Sequence, residues 1–589
     1  MLYKGKRGWF VVMYLRFTQR TNTDGTTVRY AALAHNRRVG GKTRPDVLMN
    51  LGRVDQLDVD GLRRLAASID RHFGDGGLDD AAGDAGLHAG AAPMEVVDAR
   101  PIGAVWLLDA LWRRLEIGSA IKAASDGRRF TTGVERVLFA LVANRAIAPM
   151  SKLSAADWVV NDALIPGLTA MTDDHAYRAM DLLVEADAQA EVQESVFFAV
   201  ANLLNLEVDL LFFDTSSTYF ERDTEDLPGD DDDPDAPARL RRYGHSKDSR
   251  DDLPQIVIGL AVTREGIPVR CFVWPGNTND QTVLTEVKDA MRDWKLGRVV
   301  TVVDRGFSCA DNLAYLRRAG GHYIAGMPMR NGNALVEQVL SRQGRYQQVK
   351  DNLRVKEIRI DGTDTRFVLC HNPDQAIRDA ARRSEAIARI EAELVRIADQ
   401  RARDKNRILT DKARTRNEEA HLRAECALRD HPTLGRWLRQ QATGRLVIDK
   451  AKVKAEERLD GKYLLATSDP DITAEDAALG YKALLEAERG FRDMKSELLL
   501  RPVFHRLDHR IRAHVLICWL ALLLVRIAER ASGQTWRHIN RETSRLKQVT
   551  LAGPAGTIIQ TTPLRPEQKA IYQALSITPP PRMSAFESS

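Results

Sequence analysis

The stretch VDLLFFDTSSTYFE, residues 208–221, carries an unbroken apolar run that stops at Asp214. A short apolar run of this kind, bounded by polar residues, is read as a buried strand. Outward from it the same signal repeats in QIVIGLAV (255–262), PVRCFVW (268–274), VVTVV (299–303) and HYIAGM (322–327). Helical patterns, TVLTEVKDAMRDW (282–294) and ADNLAYLRRA (310–319), separate the later runs. Three strands followed by alternating helix and strand predict a mixed α/β sheet. Asp304 follows VVTVV as Asp214 follows LLFF, so both are expected at or near strand ends on one sheet. Taken singly, an Asp at such a place is usually a turn or cap residue.

A third carboxylate comes from YKALLEAERGFRDMK, residues 481–495. Tyr481, Glu488 and Lys495 are spaced seven and seven apart, and on one continuous helix a heptad drifts only about 20°, so the three are expected on one face. Glu486, two positions before Glu488, is rotated by about 200° and points away. A Tyr, Glu, Lys stripe is commonly a solvated face; this one abuts a basic run, FHRLDHRIRAH (504–514), and an apolar helix, and so can pack on the sheet edge. Phosphoryl chemistry with two metals needs about three carboxylates around ions ~3.5 to 4 Å apart. Hard oxygen ligands select Mg²⁺ or Mn²⁺, two ions being expected here. Asp214, Asp304 and Glu488 are therefore the candidate catalytic and metal-binding residues, with Tyr481 and Lys495 as candidate DNA phosphate contacts.

The rest of the chain bounds this reading. With 589 residues, 44% of them apolar, several packed domains are expected. The five cysteines, Cys271, Cys309, Cys370, Cys426 and Cys518, have no close pair, which disfavours a thiolate zinc site or a disulfide framework and suits a reducing compartment. The opening MLYKGKRGWF lacks the pattern of a secretory signal, so the mature chain is expected to begin there. The apolar stretch Val515–Val525 is shorter than the ~20 residues a bilayer needs, and is read as a buried helix with no membrane partner.

Net charge is only +5, but it is segregated. Residues 1–53 hold eleven Lys or Arg against Asp24 and Asp46, and residues 489–547 hold thirteen against five acids, so both segments can lie on phosphates. Residues 221–237, with nine acids and one Arg, are expected to be a solvated loop. WFVVMYLRF and VRYAALAHN, flanking TNTDGTT, predict a hairpin near the N-terminus. A Gly, Ala and Asp-rich linker follows at 74–92, and AVWLLDALWRRL (104–115), GVERVLFALVANRAI (133–147) and AEVQESVFFAVANLLNL (190–206) predict a helical domain. SKLSAADW (151–158) is read as an N-cap serine leading an amphipathic turn. Ile387, Ile390, Leu394 and Ile397 form the seam of a helix pair, which an antiparallel hairpin satisfies at least as well as an extended coiled coil.

Taken together, FFDTSSTYFE (212–221), VVDRGFSCADNL (302–313) and the Tyr481, Glu488, Lys495 segment resemble the DDE transposases of the insertion-sequence-four group. SKLSAADW, GHSKDSRDDLPQ (244–255), PGNTND (275–280) and RPVFHRLDHRIRAHV (501–515) extend the resemblance over nearly the whole chain. In that family the third segment reads Tyr, two residues, Arg, three residues, Glu, six residues, Lys. Here Leu484 stands where the Arg belongs, and Arg489 or Arg492 is the candidate to take over its phosphate role. His505 and His514 are candidates to lie near the site, although a lone His beside an apolar helix is more often structural.

The resemblance implies a multidomain α/β protein with a ribonuclease-H-like mixed sheet, an insertion between the second Asp and the Glu, a helical N-terminal domain and a small β unit. The divisions expected along the chain are 1–73 (small basic β unit), 74–94 (linker), 95–206 (helical, DNA-binding), 207–330 (first part of the catalytic domain), 331–475 (insertion with a charged helical hairpin), 476–550 (completion of the catalytic domain with the Glu helix) and 551–589 (C-terminal tail). The resemblance implies a prokaryotic, cytoplasmic, nucleoid-associated enzyme that binds double-stranded DNA as transposon ends and target, cleaves it and joins the 3′-hydroxyl to the target, working as a homodimer. The competing readings are a catalytically inactive DNA-binding derivative and a plain ribonuclease-H-like nuclease. Three intact carboxylates weigh against the first, and the long N-terminal domains and large insertion weigh against the second. The sequence offers no decisive DNA-recognition helix, and the N-terminal hairpin competes with region 95–206 for that task.

Overall fold

A computed structural model divides the chain into two compact units, residues 1–205 with 493–589, and residues 206–492. It describes all residues except 1–3, 6–7, 10–12, 22–26, 40–41, 58, 60, 63–93, 125–132, 188–189, 205–208, 227–238, 293, 295–298, 331–333, 408–409, 555 and 588–589. The expected linker therefore lies almost wholly outside the described residues, as does most of the acidic loop.

In the first unit the two N-terminal apolar runs pair antiparallel, Thr21 opposite Thr27, as their alternation requires. A third strand, Lys42–Arg53, which the sequence reading did not separate, completes the meander. Helices follow at Gly103–Arg114, Ile117–Ala124, Val134–Ile147, Lys152–Asn161, Asp173–Ala186 and Glu191–Leu204. Ser151 caps the fourth of these by accepting a hydrogen bond from the Ser154 N–H, so the N-cap reading holds.

Two expectations for this unit need correction. Residues 95–101 form a strand rather than the start of a helical domain, and residues 551–589 are no simple tail. Lys547–Gly553, Gly556–Thr561 and Met583–Glu587 build with Glu95–Pro101 a four-stranded antiparallel sheet. The apolar helix runs from Asp508 to Ser532 and packs on the helices Val134–Ile147 and Asp173–Ala186, so it falls in this unit, where its Arg526 pairs with Asp493 at 2.7 Å. By length and composition it could cross a membrane, but 94% of its apolar window is buried, which satisfies its side chains inside the fold.

The second unit is built on a nine-stranded sheet. Its strands are β1 (Leu210–Tyr219), β2 (Gln255–Thr263), β3 (Pro268–Pro275), β4 (Val300–Val303), β5 (His322–Met327), β6 (Gln347–Lys350), β7 (Leu353–Arg359), β8 (Arg366–His371) and β9 (Lys462–Thr467). Their order across the sheet is β6-β7-β8-β9-β5-β4-β1-β2-β3. β4 runs parallel to both β1 and β5, while β2 runs antiparallel to β1 and to β3. Every strand from β5 outward to β6 is antiparallel to its neighbour. The first four residues of β1 and all of β2 are buried, as expected of interior strands covered on both faces.

Helices α1 (Asp280–Arg292) and α2 (Ala310–Arg317) connect the strands around β4. The segment between β5 and the Glu helix does not stand apart from the sheet, because β6 to β9 extend it antiparallel beyond β5. From that extension project α3 (Pro373–Lys405) and α4 (Asp411–Arg429), packed as a hairpin. Ile390 and Ile397, two of the four seam residues, are buried with Leu428, Leu434 and Trp437, and Leu394 packs against them. An ion pair from Arg401 to Glu425 at 2.8 Å and a hydrogen bond between His421 Nε2 and Asp404 at 3.1 Å flank the seam.

A charge placed in that seam leaves an unpaired ion in an apolar cluster, which costs several kcal/mol. Ile397→Asp is accordingly expected to abolish hydrogen-exchange protection across 373–429 while β1 and β2 stay protected. Unchanged protection in the hairpin would contradict this packing.

Candidate active site

The ladder between β1 and β4 ends at the pair Phe213 and Val303. Asp214 and Asp304 are the next residues on these two parallel strands, so they stand at one level and project to the same face. Asp214 is not at the end of its strand, as the sequence suggested: β1 continues beside β2 to Tyr219, and Asp214 marks the place where β1 loses β4 as a neighbour. After Asp304 the chain makes a short 3₁₀ turn, Arg305–Phe307, and buries Phe307 edge-on against Phe213 at 5.5 Å. The Asp304 carboxylate makes no capping hydrogen bond to this turn. The turn-and-cap explanation for an Asp at this position therefore does not account for it.

On β5 the pair Val303 and Ala325 puts Gly326 at the same level as Asp304. A Cβ on Gly326 would run into the Tyr481 ring and hydroxyl, so the glycine opens the seat in which that ring lies. From there the Tyr481 hydroxyl donates to Asp304 Oδ1 at 2.6 Å, and its ring stacks on Tyr463 at 5.9 Å. Burial, reinforced by that bond to Asp304, raises the phenol's pKa, so it stays a donor.

Tyr481 and Glu488 do not share one continuous helix. α5 (Ala474–Lys482) ends just after Tyr481, and α6 (Leu485–Ser496) begins beyond a tight turn in which Leu484 N–H bonds Tyr481 O and Ala487 N–H bonds Leu484 O. The heptad argument therefore fails between Tyr481 and Glu488, although it still relates Glu488 to Lys495 within α6. α5 lies across β4, β5, β7, β8 and β9, which fixes where α6 starts. Leu484, in the turn before α6, is buried together with the α6 residues Ala487, Phe491 and Met494. Leu484 is thus a core residue, and an Arg there would have to bury its charge.

The distinction between the two glutamates survives. Glu486 lies over the β2–β3 turn, where a Cβ on Gly266 would come within 2.7 Å of its Oε2, and it pairs with Arg489 at 3.8 Å. Glu488 is exposed, and its charge acts on both Asp214 and Tyr481. Of the remaining candidates, Arg492 is exposed on α6 and Lys495 lies near that helix's C-terminal end. His505 and His514 are housed in the first unit, and His514 is fully enclosed there.

Burial, together with the charges of Asp304 and Glu488, pushes the Asp214 carboxyl up to about 6, against the opposing pull of Lys247 and the Thr215 N–H. Lys247 escaped the sequence reading. Its ammonium pairs with Asp280 at 2.8 Å and donates to the Thr215 carbonyl at 2.8 Å, and the Thr215 hydroxyl donates to Asp280 at 2.7 Å. Asp280 opens α1, and its carboxylate faces the neighbouring strand rather than capping its own helix. The only sequence signal for this network was that Lys247 and Asp280 fall in GHSKDSRDDLPQ and PGNTND.

Asp214, Asp304 and Glu488 make an all-oxygen, triply negative donor set, which in chemistry suits a hard divalent cation. Among the described residues, however, no three His, Cys, Asp or Glu side chains are grouped tightly enough to hold a metal ion as placed. The mutual repulsion felt at Asp214 is the observation that a bound cation would relieve.

The raised carboxyl carries a stability consequence whose sign is fixed. Above pH about 6 Asp214 is ionised both folded and unfolded, and the folded state bears the full penalty; below its ordinary value near 4 neither state does. In chelator, Asp214→Asn is expected to stabilise the protein by on the order of 1–3 kcal/mol at pH 8, with the gain fading as pH falls from 6 to 4. Denaturant unfolding at several pH values measures it, and a destabilised variant at pH 8 would refute the electrostatic account.

Comparison with known families supplies an independent line. Residues 15–82 match the N-terminal domain of IS1634 family transposases, and residues 238–524 match the transposase DDE domain. The second match includes Asp304 and Glu488 and begins after Asp214. Among solved structures, a piggyBac transposase synaptic complex with hairpin DNA aligns at 12% identity over 75% of this chain and 78% of that one, with a TM-score of 0.33, too slight a likeness to build on. No curated protein matches. Transposase DDE domains process DNA and generally use divalent metal ions. The chain thus carries an IS1634-type transposase N-terminal domain and a transposase DDE domain, which supports its being a DDE transposase.

Proposed function

We propose that this protein cuts DNA at the ends of an insertion sequence and joins the freed 3′-hydroxyl to target DNA, with Asp214, Asp304 and Glu488 as its catalytic carboxylates. The observation that carries this reading is the pair Asp214 and Asp304 at one level of two parallel strands, with the charge of Glu488, from the helix after the insertion, acting on Asp214. The strand sequence β3-β2-β1-β4-β5, with β2 alone reversed, supports a ribonuclease-H-like core for the catalytic unit. Tyr481, Glu488 and Lys495 support placement near the insertion-sequence-four group, while buried Leu484 departs from that group's Arg.

In this reading the three carboxylates hold Mg²⁺ or Mn²⁺, two ions in all. Such ions, when bound, activate an attacking oxygen and stabilise a leaving one. The chain's own residues prepare the site. Tyr481 holds one oxygen of Asp304 by a donated hydrogen bond and so fixes the carboxylate's orientation. Lys247 opposes protonation of Asp214 from a position locked by Asp280 and Thr215. Arg489, Arg492 and Lys495 would meet DNA phosphates along α6, and their contribution would weaken as salt rises. Double-stranded DNA ends and target are the substrates, and a homodimer would bring two ends together, at the nucleoid of a prokaryotic cell.

The test is Mg²⁺-dependent cleavage and joining of DNA bearing the element's own ends. Glu488→Gln is expected to lower cleavage by at least about 10²-fold. Glu486→Gln, directed at the Gly266 turn, should leave cleavage within a few-fold of the wild type. The reverse ranking of the two variants would overturn the site, and binding without any cleavage by the wild type would favour an inactive DNA-binding derivative.

A further inference from the structure

The first unit contains a cavity of about 210 Å³ lined by Arg145, Ser151, Lys152, Tyr177, His505 and His514, among others. Its chemistry is unusual for a protein interior. Lys152 is 5% exposed and Arg145 4%, yet among the described residues no carboxylate pairs with either. Buried charges are ordinarily paired, because desolvating an isolated cation is expensive.

The neighbouring groups do not supply the missing negative charge. Arg145 spends its terminal nitrogens on the carbonyls of Leu498, Leu499 and Met150, and its buried Nε has no partner. The Lys152 ammonium lies 3.4 Å from His514 Nδ1. His514 Nε2 lies 3.0 Å from the Leu500 carbonyl, which fixes that nitrogen as the donor and leaves Nδ1 neutral and accepting. His505 packs on His514 at 5.3 Å and edge-on to Tyr177 at 6.1 Å. Asp181, the acid whose charge acts on His505, is taken by Arg510 at 2.9 Å and His509 at 3.2 Å. Cys518 is enclosed and kept a thiol by burial.

The electrostatic consequence agrees with the geometry. Burial, aided by the Arg145 charge, pushes Lys152 down to about 7, and burial with Lys152 and Arg145 pushes His505 down to about 3. The N-terminus of the helix Lys152–Asn161 also opens at the cavity and adds a favourable end for negative charge.

From the cavity, its two unpaired buried cations and its missing counter-charge, we infer that this is a built binding site for a phosphoryl group. Lys152 is the principal ligand, Arg145 and His514 are the residues that hold it, and Phe504, 71% exposed, stands at the cavity wall. The phosphoryl group could belong to DNA, as a backbone diester or a terminal monoester, or to free phosphate. None of the site's residues belongs to the unit that holds Asp214, Asp304 and Glu488.

The experiment uses the full-length protein in chelator with inorganic phosphate as probe. Saturating phosphate is expected to raise the melting temperature of the wild type by about 3–6 °C and that of Lys152→Met by none. Without phosphate, Lys152→Met should melt no lower than the wild type, because the substitution removes an uncompensated buried charge. A second measurement needs no variant: phosphate should protect Lys152 of the wild type from acetylation while exposed Lys412 is still labelled. Repeating the labelling with a short duplex separates the sources. Protection by a 5′-hydroxyl duplex assigns a backbone diester, protection only by a 5′-phosphorylated duplex assigns a terminal monoester, and protection by neither assigns free phosphate. Failure of phosphate to stabilise the wild type or protect Lys152, or equal stabilisation of Lys152→Met, overturns the inference.

Discussion

The parallel hydrogen-bond ladder between β1 and β4 is the constraint on which the rest of the site depends. It ends at Phe213 and Val303, and because parallel strands advance together, the residues that follow are two aspartates at one height. Nothing in the local sequence forces two carboxylates into proximity; the sheet does. Phe213 and Phe307, packed edge to face beneath them, hold the chain reversal after Asp304 in place. Every further group at the site is positioned relative to this pair.

Bringing carboxylates together in a half-buried setting costs free energy, and the surrounding residues show how the fold tolerates it. Lys247 provides an opposing charge at Asp214, fastened by Asp280 and Thr215. Tyr481 shares the load at Asp304 by donating a hydrogen bond, and Gly326 makes room for it. Glu488 adds a third negative charge from an exposed helix face, where water softens the penalty. Strain of this kind is common where function, and not stability, selects the residues.

Much of this arrangement was legible in the sequence. Apolar runs marked β1 to β5, the placement of Asp214 and Asp304 after such runs put both on one sheet, and the 100° step per helical residue separated Glu488 from Glu486. The break between α5 and α6 was not legible, because Ala483 and Leu484 are strong helix formers and only packing of α5 across the sheet interrupts them. Strands β6 to β9 were hidden by short, partly charged segments such as QQVK and LRVKEIR, whose strand state depends on extending an existing edge. The C-terminal sheet was hidden for a related reason, since its partner strand, Glu95–Pro101, lies far away in sequence. Nor did SKLSAADW reveal that Lys152, one residue past a helix cap, would be enclosed beside two histidines.

Asp214, Asp304 and Glu488 are proposed to hold divalent metal together. This shared binding is tested most directly by replacing Mg²⁺ with Fe²⁺ in the full-length protein bound to DNA and mapping where locally generated hydroxyl radicals cut the polypeptide. Scission beside residues 214, 304 and 488, suppressed by excess Mg²⁺, is expected. Scission confined to other segments, or a pattern unchanged when Asp304 is replaced by Asn, would contradict it.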